Sequence, residues 1–399
     1  MRISTSWGQQ QAVNTLLDRQ YQMSQTQLAL GNGKAIQTPA DNPAAAARAV
    51  DTNSASAQND QYTRNIQSAT TRLSVEEQAL SSAGDILDRI RSLTLEGMNG
   101  TQTDESRQSI ATELRQTLKQ LVALGNTRDG QGEYVFAGSR TTTQPFTADG
   151  LNVSYGGDQN QRMVAAAAGL QVATGDSGSD VFMSIRGGNG TFVTTAGAAN
   201  TGSAVVGATS VTDASSWDGG NYTITFTSPT DYEIRDAAAL PTDPPLSTGT
   251  YTGETGTINF KGAQLNITGT PATGDTFAVG PSSSQDVFST VAGIINAFEA
   301  PGGGAPMNNQ INAQLQNLDQ ASTSFLNTRT KIGARMNILD QQKAIGDDTK
   351  LQYDTTLSNL QDLDYASATS QFVQQQTALT AAQQAFVKMQ NLTLFNYLK

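Results

Sequence analysis

The sequence predicts an α+β fold in which long N- and C-terminal helices pack as a coiled-coil or helical bundle, with an all-β domain inserted between them. Three observations lead to this prediction. Large apolar residues recur at helical spacing near both ends of the chain. The last stretch, residues 362–399, contains neither glycine nor proline. From about Thr141 to Pro281 the composition shifts to Gly, Thr and Ser, with short β-branched and aromatic runs typical of strands.

These changes divide the chain of 399 residues into three predicted domains. A terminal coiled-coil assembly domain combines residues 1–40 with residues 360–399. A helical-bundle rod domain combines residues 41–140 with residues 284–359, and a β-rich domain occupies residues 141–283.

The first predicted helix covers residues 9–30 and ends at Gly31-Asn32-Gly33. A turn-rich connection follows, in which Asn42 precedes a proline and is therefore disfavoured in the helical region. Asn42 is a good N-cap and Pro43 suits the first helical position, so the sequence predicts that the next helix begins at one of these two residues.

Residues 60–97 carry a heptad pattern, which predicts a rod of about 50 Å. The leading seam position is occupied by Ile66, Leu73, Leu80 and Leu87, and the other seam position by Ala69, Ala83 and Ile90. A third predicted helix ends at Gly125. The segment Gly132–Gly138 after it has the pattern of a short strand between glycines.

The β-rich domain is predicted to be a sandwich or an irregular barrel, and its topology is left open. Its strand candidates are residues 221–226, 256–260, 264–267 and 276–279. Helical patterns resume over residues 284–298 and 307–343 and lead into the terminal helix.

The terminal helix has an apolar stripe at helical spacing, formed by Phe372, Leu379, Phe386, Met389 and Leu392. Since the first and last helices each have one apolar stripe, we expect them to pair with each other and with neighbouring subunits. The residues predicted to make these assembly contacts are Val13, Leu16, Leu17, Leu28, Leu379, Phe386, Met389, Leu392, Phe395 and Leu398.

Composition argues against several classes of function. The net charge of −11 disfavours binding to a nucleic-acid backbone or an anionic membrane surface. The chain has no Cys and no His, which excludes thiol nucleophiles, His-based triads and the usual zinc sites. We therefore expect no catalytic site, no metal and no cofactor.

A few polar residues need separate interpretations. Glu76-Glu77 and Asp347-Asp348 are expected to lie on solvated helix faces, and Gly187–Gly190 is expected to be a plain loop. Asp362 and Asp364 flank the base of the terminal helix, where either helix capping or polar contact between subunits explains them. The N-terminal residues do not have the pattern of a secretory signal peptide, and no apolar run is long enough to span a membrane.

Several motifs carry a resemblance to a known family. The turn formed by Gly33, Pro39, Asp41, Asn42 and Pro43, followed by alanines, is similar to the conserved turn of the bacterial flagellin family. The segment with Gly132, Tyr134, Phe136 and Gly138, and the end of the chain at Leu392–Leu398, resemble the hook–filament junction members of that family. The stretch Gly269–Phe277 is similar to a segment shared by hook-associated proteins.

The resemblance implies a non-enzymatic structural adaptor that joins the flagellar hook to the filament. Its implied partners are hook-associated protein 1, flagellin, other copies of itself in a ring or helical segment, and an export chaperone at the C-terminal helix. It also implies type III flagellar export without a cleaved signal peptide, and an extracellular location with the β-rich domain facing outward. Filament flagellin itself and a divergent surface adhesin remain alternatives, because flagellin shares both helical ends.

Overall fold

The computed structural model describes residues 5–240, 242–253 and 255–391. The chain divides into two compact units. The first, which we call the terminal unit, comprises Met1–Arg64 and Gln342–Lys399; the second, the central unit, comprises Asn65–Gln341. Within the described residues, none of the helices combines the length and the apolar character needed to cross a bilayer. The predicted division into three domains stays a prediction.

Six helices account for the two ends of the described chain, as the hydrophobic periodicity predicts. They are α1 (Thr5–Asn32), α2 (Pro43–Gly97), α3 (Asp104–Gly125), α4 (Val287–Glu299), α5 (Ala305–Gln361) and α6 (Tyr365–Asn391). The predicted start at Pro43 and the predicted end at Gly125 are both confirmed. The heptad segment is part of one helix of 55 residues.

The described strands are short and all their pairings are antiparallel. They are β1 (Phe146–Asp149), β2 (Asn152–Tyr155), β3 (Met163–Ala167), β4 (Leu170–Ala173), β5 (Ile185–Arg186), β6 (Phe192–Ala196), β7 (Val205–Val211), β8 (Tyr222–Ser228), β9 (Asp231–Asp236), β10 (Ser247–Thr250), β11 (Thr255–Phe260), β12 (Ala263–Thr268), β13 (Thr276–Pro281) and β14 (Ser284–Gln285). All four strand candidates in the β-rich domain are confirmed, as β8, β11, β12 and β13.

The central unit contains two separate hydrophobic cores. In the first core, the heptad residues of α2 pack with α3, α4 and α5, and Leu73, Leu80 and Leu87 are almost fully buried. Phe146 and Phe182 belong to this core too, and their rings meet edge to face. This first core therefore extends past Thr141, where the composition changes. Strands β1 to β4 and a short π-helix, Ser179–Met183, pack on the helical bundle.

The second core lies inside a β-sandwich. One sheet has the strand order β10-β9-β8-β13-β6 and the other has the order β11-β12-β7. Alternate residues of both sheets, such as Ile224, Phe277 and Leu265, are fully buried in one cluster. The predicted choice between sandwich and barrel is thus resolved as a sandwich.

Two predictions about local structure are wrong. Gly132–Gly138 is not a strand but an irregular segment with a single isolated bridge, Arg128 to Tyr134. Glu76 does not lie on a solvated face: its side chain is completely buried in the central unit, whereas Glu77 is half-buried and forms an ion pair with Arg329. Asp347 and Asp348 are exposed, as expected.

The loop at Gly187–Gly190 is a turn next to the entry of the sandwich, as predicted. The chain enters and leaves the sandwich through one antiparallel pair, in which β5 lies beside β14. The Gly187 N–H donates to the Ser283 carbonyl at 3.0 Å, and the Ser282 N–H donates to the Thr191 carbonyl at 3.0 Å. We call this pair the neck of the sandwich.

Candidate functional site

The two ends of the described chain form one helical pair in the terminal unit. Helix α1 packs against α6, and the end of α1 meets the start of α6, so the two helices run antiparallel. The expectation that the ends pair with each other is confirmed by this packing. Contact with neighbouring subunits stays a prediction.

The apolar residues of α1 divide into two faces. Val13 and Leu16 are half-buried, whereas Leu17 and Leu28 are exposed. The exposed face holds four large side chains whose exposed fractions range from 53% to 65%: Trp7, Leu17, Tyr21 and Leu28. Because a helix turns once in 3.6 residues, these four residues share one stripe beside the half-buried one. We call it the exposed stripe.

Helix α6 shows the same division. Leu379 is buried and Phe386 is half-buried, whereas Val373 and Val387 are more than half exposed. Of the other predicted assembly residues, Met389 lies on α6 but its side chain is outside the described residues. Leu392, Phe395 and Leu398 lie outside the described residues altogether, as does the tail segment to which they belong.

The turn between α1 and α2 is built by its own side chains. The Asp41 carboxylate accepts hydrogen bonds from the Thr38 N–H at 2.7 Å and the Gln37 N–H at 2.9 Å, and these bonds, that from Thr38 above all, lower the pKa of Asp41. The Asp41 N–H donates back to the Thr38 carbonyl, which places Pro39 at the second position of a β-turn, where its fixed φ fits. Asn42 then caps α2, as predicted, by accepting from the Ala45 N–H at 3.0 Å.

The same turn is attached to the break between α5 and α6. The Ala35 N–H donates to the Gln361 carbonyl at 2.7 Å, and the Leu363 N–H donates to the Gly33 carbonyl at 2.9 Å. Gly33 has a φ of +70°, and a Cβ there would lie 2.9 Å from the Tyr365 hydroxyl. The turn that contains Gly33 and Asp41 therefore fixes where the end of α1 meets the start of α6. We call this turn, with its hydrogen bonds to Gln361 and Leu363, the turn joint.

The break between α5 and α6 lies at the base of the terminal helix. Helix α6 begins at Tyr365, and Asp364 caps it. The Asp364 carboxylate accepts from the Ser367 hydroxyl at 2.7 Å and from the Ala366 N–H at 3.0 Å, and the bond from Ser367 lowers its pKa most. Of the two explanations for Asp364, the structure supports helix capping.

The junction-type segment lies in the interior of the central unit. Tyr134, Phe136 and Gly138 are all buried, while Gly132 is exposed. The Phe136 carbonyl accepts from the Gly178 N–H at 2.8 Å and from the Tyr155 hydroxyl at 3.0 Å. Gly138 has a φ of +69°, and a Cβ there would lie 2.2 Å from an Asp158 carboxylate oxygen.

A cluster of charged groups underlies this segment, and the sequence interpretation missed it. Arg72 of α2 lies 2.6 Å from the Asp129 carboxylate and 3.3 Å from that of Glu133, and it donates to the Tyr134 carbonyl at 2.8 Å. Arg162 also binds Glu133, at 2.7 Å. Charged residues brought together from distant positions give no local signal, so spacing alone does not reveal them.

The segment Gly269–Phe277 owes its form to Asp275, which is buried. The Asp275 carboxylate accepts from the Thr201 N–H and the Ala272 N–H, both at 2.8 Å. It thereby holds the two loops that precede β7 and β13. Among the described residues, no group of three or more acidic, His or Cys side chains is arranged to hold a metal ion.

Comparison with known families gives two matches. Residues 3–141 match the bacterial flagellin N-terminal helical region. Residues 195–281 match the D2-like domain of flagellar hook-associated protein 1, and this range corresponds to the β-sandwich.

Individual proteins resemble the chain over most of its length. Flagellar hook-associated protein 3 of Escherichia coli is 26% identical over 404 residues, which is 100% of both chains. The crystal structure of Xanthomonas campestris FlgL is 34% identical, with a TM-score of 0.70 over 77% of this chain and 99% of that one. The flagellar junction protein FlgL of Legionella pneumophila is 32% identical, with a TM-score of 0.65 over 71% of this chain and 95% of that one.

Proposed function

The chain belongs to the family of flagellar hook-associated protein 3, FlgL, and from this premise we propose that it is the structural adaptor that joins the flagellar hook to the filament. The observation that carries the proposal is the likeness to hook-associated protein 3 over the full length of both chains, together with the likeness to solved FlgL structures over nearly the whole of those chains.

The geometry supports a role in assembly rather than in chemistry. The most prominent unexplained feature of the terminal unit is the exposed stripe on α1, together with Val373 and Val387 on α6. Large apolar side chains aligned on a paired helix favour contact with other helices. We assign the stripe, which includes the predicted assembly residues Leu17 and Leu28, to contacts between adjacent copies of the chain.

The partners follow from the same proposal. Copies of the chain form a short segment that contacts hook-associated protein 1 on one side and flagellin on the other. The subunit reaches the flagellum by the flagellar type III export route, and a chaperone holds its C-terminal helix before export. The exposed apolar residues of α1 and α6 carry the contacts of the assembled form, and the turn joint holds the end of α1 at the start of α6.

Seeded assembly observed by electron microscopy tests the function. Purified protein is added in excess to isolated hooks that already carry hook-associated protein 1, and flagellin is added afterwards. We expect a short segment that stops growing and then accepts flagellin. The control omits hook-associated protein 1, and no segment should form on those hooks.

Two other results contradict the proposal. Indefinite growth of the added protein would identify it as filament flagellin. Failure to bind hooks that accept a known FlgL under the same conditions would remove the junction function from this chain.

A further inference from the structure

Glu76 is a fully buried carboxyl group beside the charged cluster, which also includes the ion pair of Asp176 with Arg335. It lies on α2, in the seam position between Ala69 and Ala83, and it is 0% exposed. Its Oε1 accepts a hydrogen bond from the Asp176 N–H at 2.9 Å. Its Oε2 is also buried and has no hydrogen-bond partner among the described residues. A carboxylate oxygen left in this state is costly, and a neutral hydroxyl oxygen is less so.

Apart from Glu76, the cluster contains equal numbers of positively and negatively charged side chains. Three arginines face the cluster: Arg72 from α2, Arg162 from the segment before β3, and Arg335 from α5. Three carboxylates pair with them: Asp129, Glu133 and Asp176.

The two terminal nitrogens of Arg335 bind the two Asp176 oxygens at 2.7 and 2.9 Å. Arg72 is engaged with Asp129, Glu133 and the Tyr134 carbonyl. An ionised Glu76 would thus be an extra buried negative charge beside Asp176, in a cluster whose three arginines already pair with three other carboxylates.

We propose that Glu76 keeps its proton in the folded central unit and acts as a pH-dependent lock between α2 and the segment of residues 172–178. While Glu76 is neutral, it holds the Asp176 backbone against α2. When it loses the proton, repulsion from the Asp176 carboxylate separates the two. The segment of residues 172–178 also contacts the junction-type segment, because the Gly178 N–H donates to the Phe136 carbonyl.

The direction of the pH effect follows from the proton balance. Burial, and then the Asp176 carboxylate, raise the pKa of Glu76 from 4.5 to about 8. A raised pKa in the folded state means that the folded chain binds the extra proton, so its contribution to stability is fully present below pH 4.5. This contribution is lost as the pH rises toward about 8.

The test compares the intact protein with the variants Glu76→Gln and Glu77→Gln in denaturant unfolding across the pH range. Gln has the shape of a neutral Glu and does not titrate. We expect the folding equilibrium constant of the wild type, relative to that of Glu76→Gln, to fall about tenfold for each pH unit between about 5 and 8. Glu77→Gln removes the neighbouring half-buried carboxylate and should follow the wild-type curve.

Infrared difference spectra provide a second measurement that does not depend on the stability of the variant. At neutral pH the wild type should show the C=O stretch of a buried protonated carboxyl group, which disappears above pH 8 and is absent in Glu76→Gln. Parallel pH curves for the wild type and Glu76→Gln, or a spectrum without the protonated band at neutral pH, would each overturn the proposal.

Discussion

Gly33 illustrates how a single residue controls the turn joint. Its φ of +70° is a left-handed conformation that costs other residues about 1–2 kcal/mol, and the Tyr365 hydroxyl occupies the space where a Cβ would be. We expect Gly33→Ala to destabilise the terminal unit by at least this amount. The measurement is amide hydrogen exchange in α1 and α6, which should become faster.

Gly31 provides the matched control for that substitution. It lies two residues earlier, inside α1, and a Cβ there would contact nothing within 4 Å. Gly31→Ala should therefore leave exchange unchanged or slow it slightly, because Ala favours the helix by up to about 1 kcal/mol. If both substitutions have the same effect, the special role of position 33 is wrong.

For individual residues, the sequence predicted the burial of apolar side chains better than the burial of polar ones. Leu73, Leu80 and Leu87 follow from the heptad alone, since any partner helix buries them. The burial of Glu76 was missed, although its position gives a signal: it stands seven residues after Ala69 and seven before Ala83. A charged residue in a seam position is expected to be buried with partners. The identity of those partners depends on tertiary structure.

Among the helices, the start of α6 depends on one cap. We expect Asp364→Ala to destabilise α6 by about 1 kcal/mol, because it removes the acceptor for the first N–H groups of the helix. Asp362→Ala is the control, since the interactions of Asp362 at the break, with Ser358 and Lys34, are made by its backbone. Hydrogen exchange over residues 365–369 measures both variants, and equal effects would contradict the capping assignment.

A row of side-chain amides on α5 completes the edge of the sandwich. Asn309 accepts from the Val206 N–H at 2.8 Å and donates to the Ala204 carbonyl at 3.0 Å. Asn312 donates to the Val206 carbonyl at 2.9 Å, and Gln316 donates to the Gly207 carbonyl at 3.1 Å. These amides lie beside β7, where a further strand would otherwise pair. They form hydrogen bonds with backbone N–H and C=O groups that an edge strand leaves without partners.

This arrangement predicts a local loss of protection. Asn309→Ala should leave the Val206 N–H without its partner, at a cost of about 1–3 kcal/mol, and should speed exchange of that amide. The adjacent Gln310 is exposed, so Gln310→Ala should have little effect. If the Val206 amide exchanges at the wild-type rate in Asn309→Ala, the row of amides does not hold the strand.

Element types were more predictable than their contacts. The periodicity of α2 and α5 and the β-branched runs of β8 and β12 are local properties, and they gave the correct assignments. Gly132–Gly138 has the composition of a strand, yet Tyr134 and Val135 bond to the separate backbone groups of Thr141 and Thr127. The aromatic residues of this segment are accounted for by its burial in the central unit and not by pairing with a neighbouring strand.

For the whole molecule, the exposed stripe should matter only in assembly. Because Leu17 and Tyr21 are exposed in the single chain, we expect Leu17→Gln with Tyr21→Gln to change the free energy of unfolding by less than about 0.5 kcal/mol. The same variant should fail to add to hooks in the seeded assembly experiment. Leu246→Gln is the control, since Leu246 is similarly exposed but directly precedes β10 of the sandwich.

The opposite pattern would contradict this assignment. Normal assembly of the double variant would show that the stripe makes no essential contact, and a large loss of stability would show that it belongs to the fold of the single chain.

The sequence predicted the helical ends and the β middle from patterns within each segment. Composition alone does not show which core a segment joins: residues 141–186 have the composition of the sandwich but pack on the helices.

The neck gives the molecule a property useful for engineering. Since the polypeptide enters and leaves the sandwich through adjacent residues, Gly187 and Ser283, a short hairpin could close that gap without moving either end. The sandwich has its own core, separate from that of the helices. Foreign domains whose termini lie equally close could be grafted at the same two residues, which would turn this chain into a scaffold for displaying them.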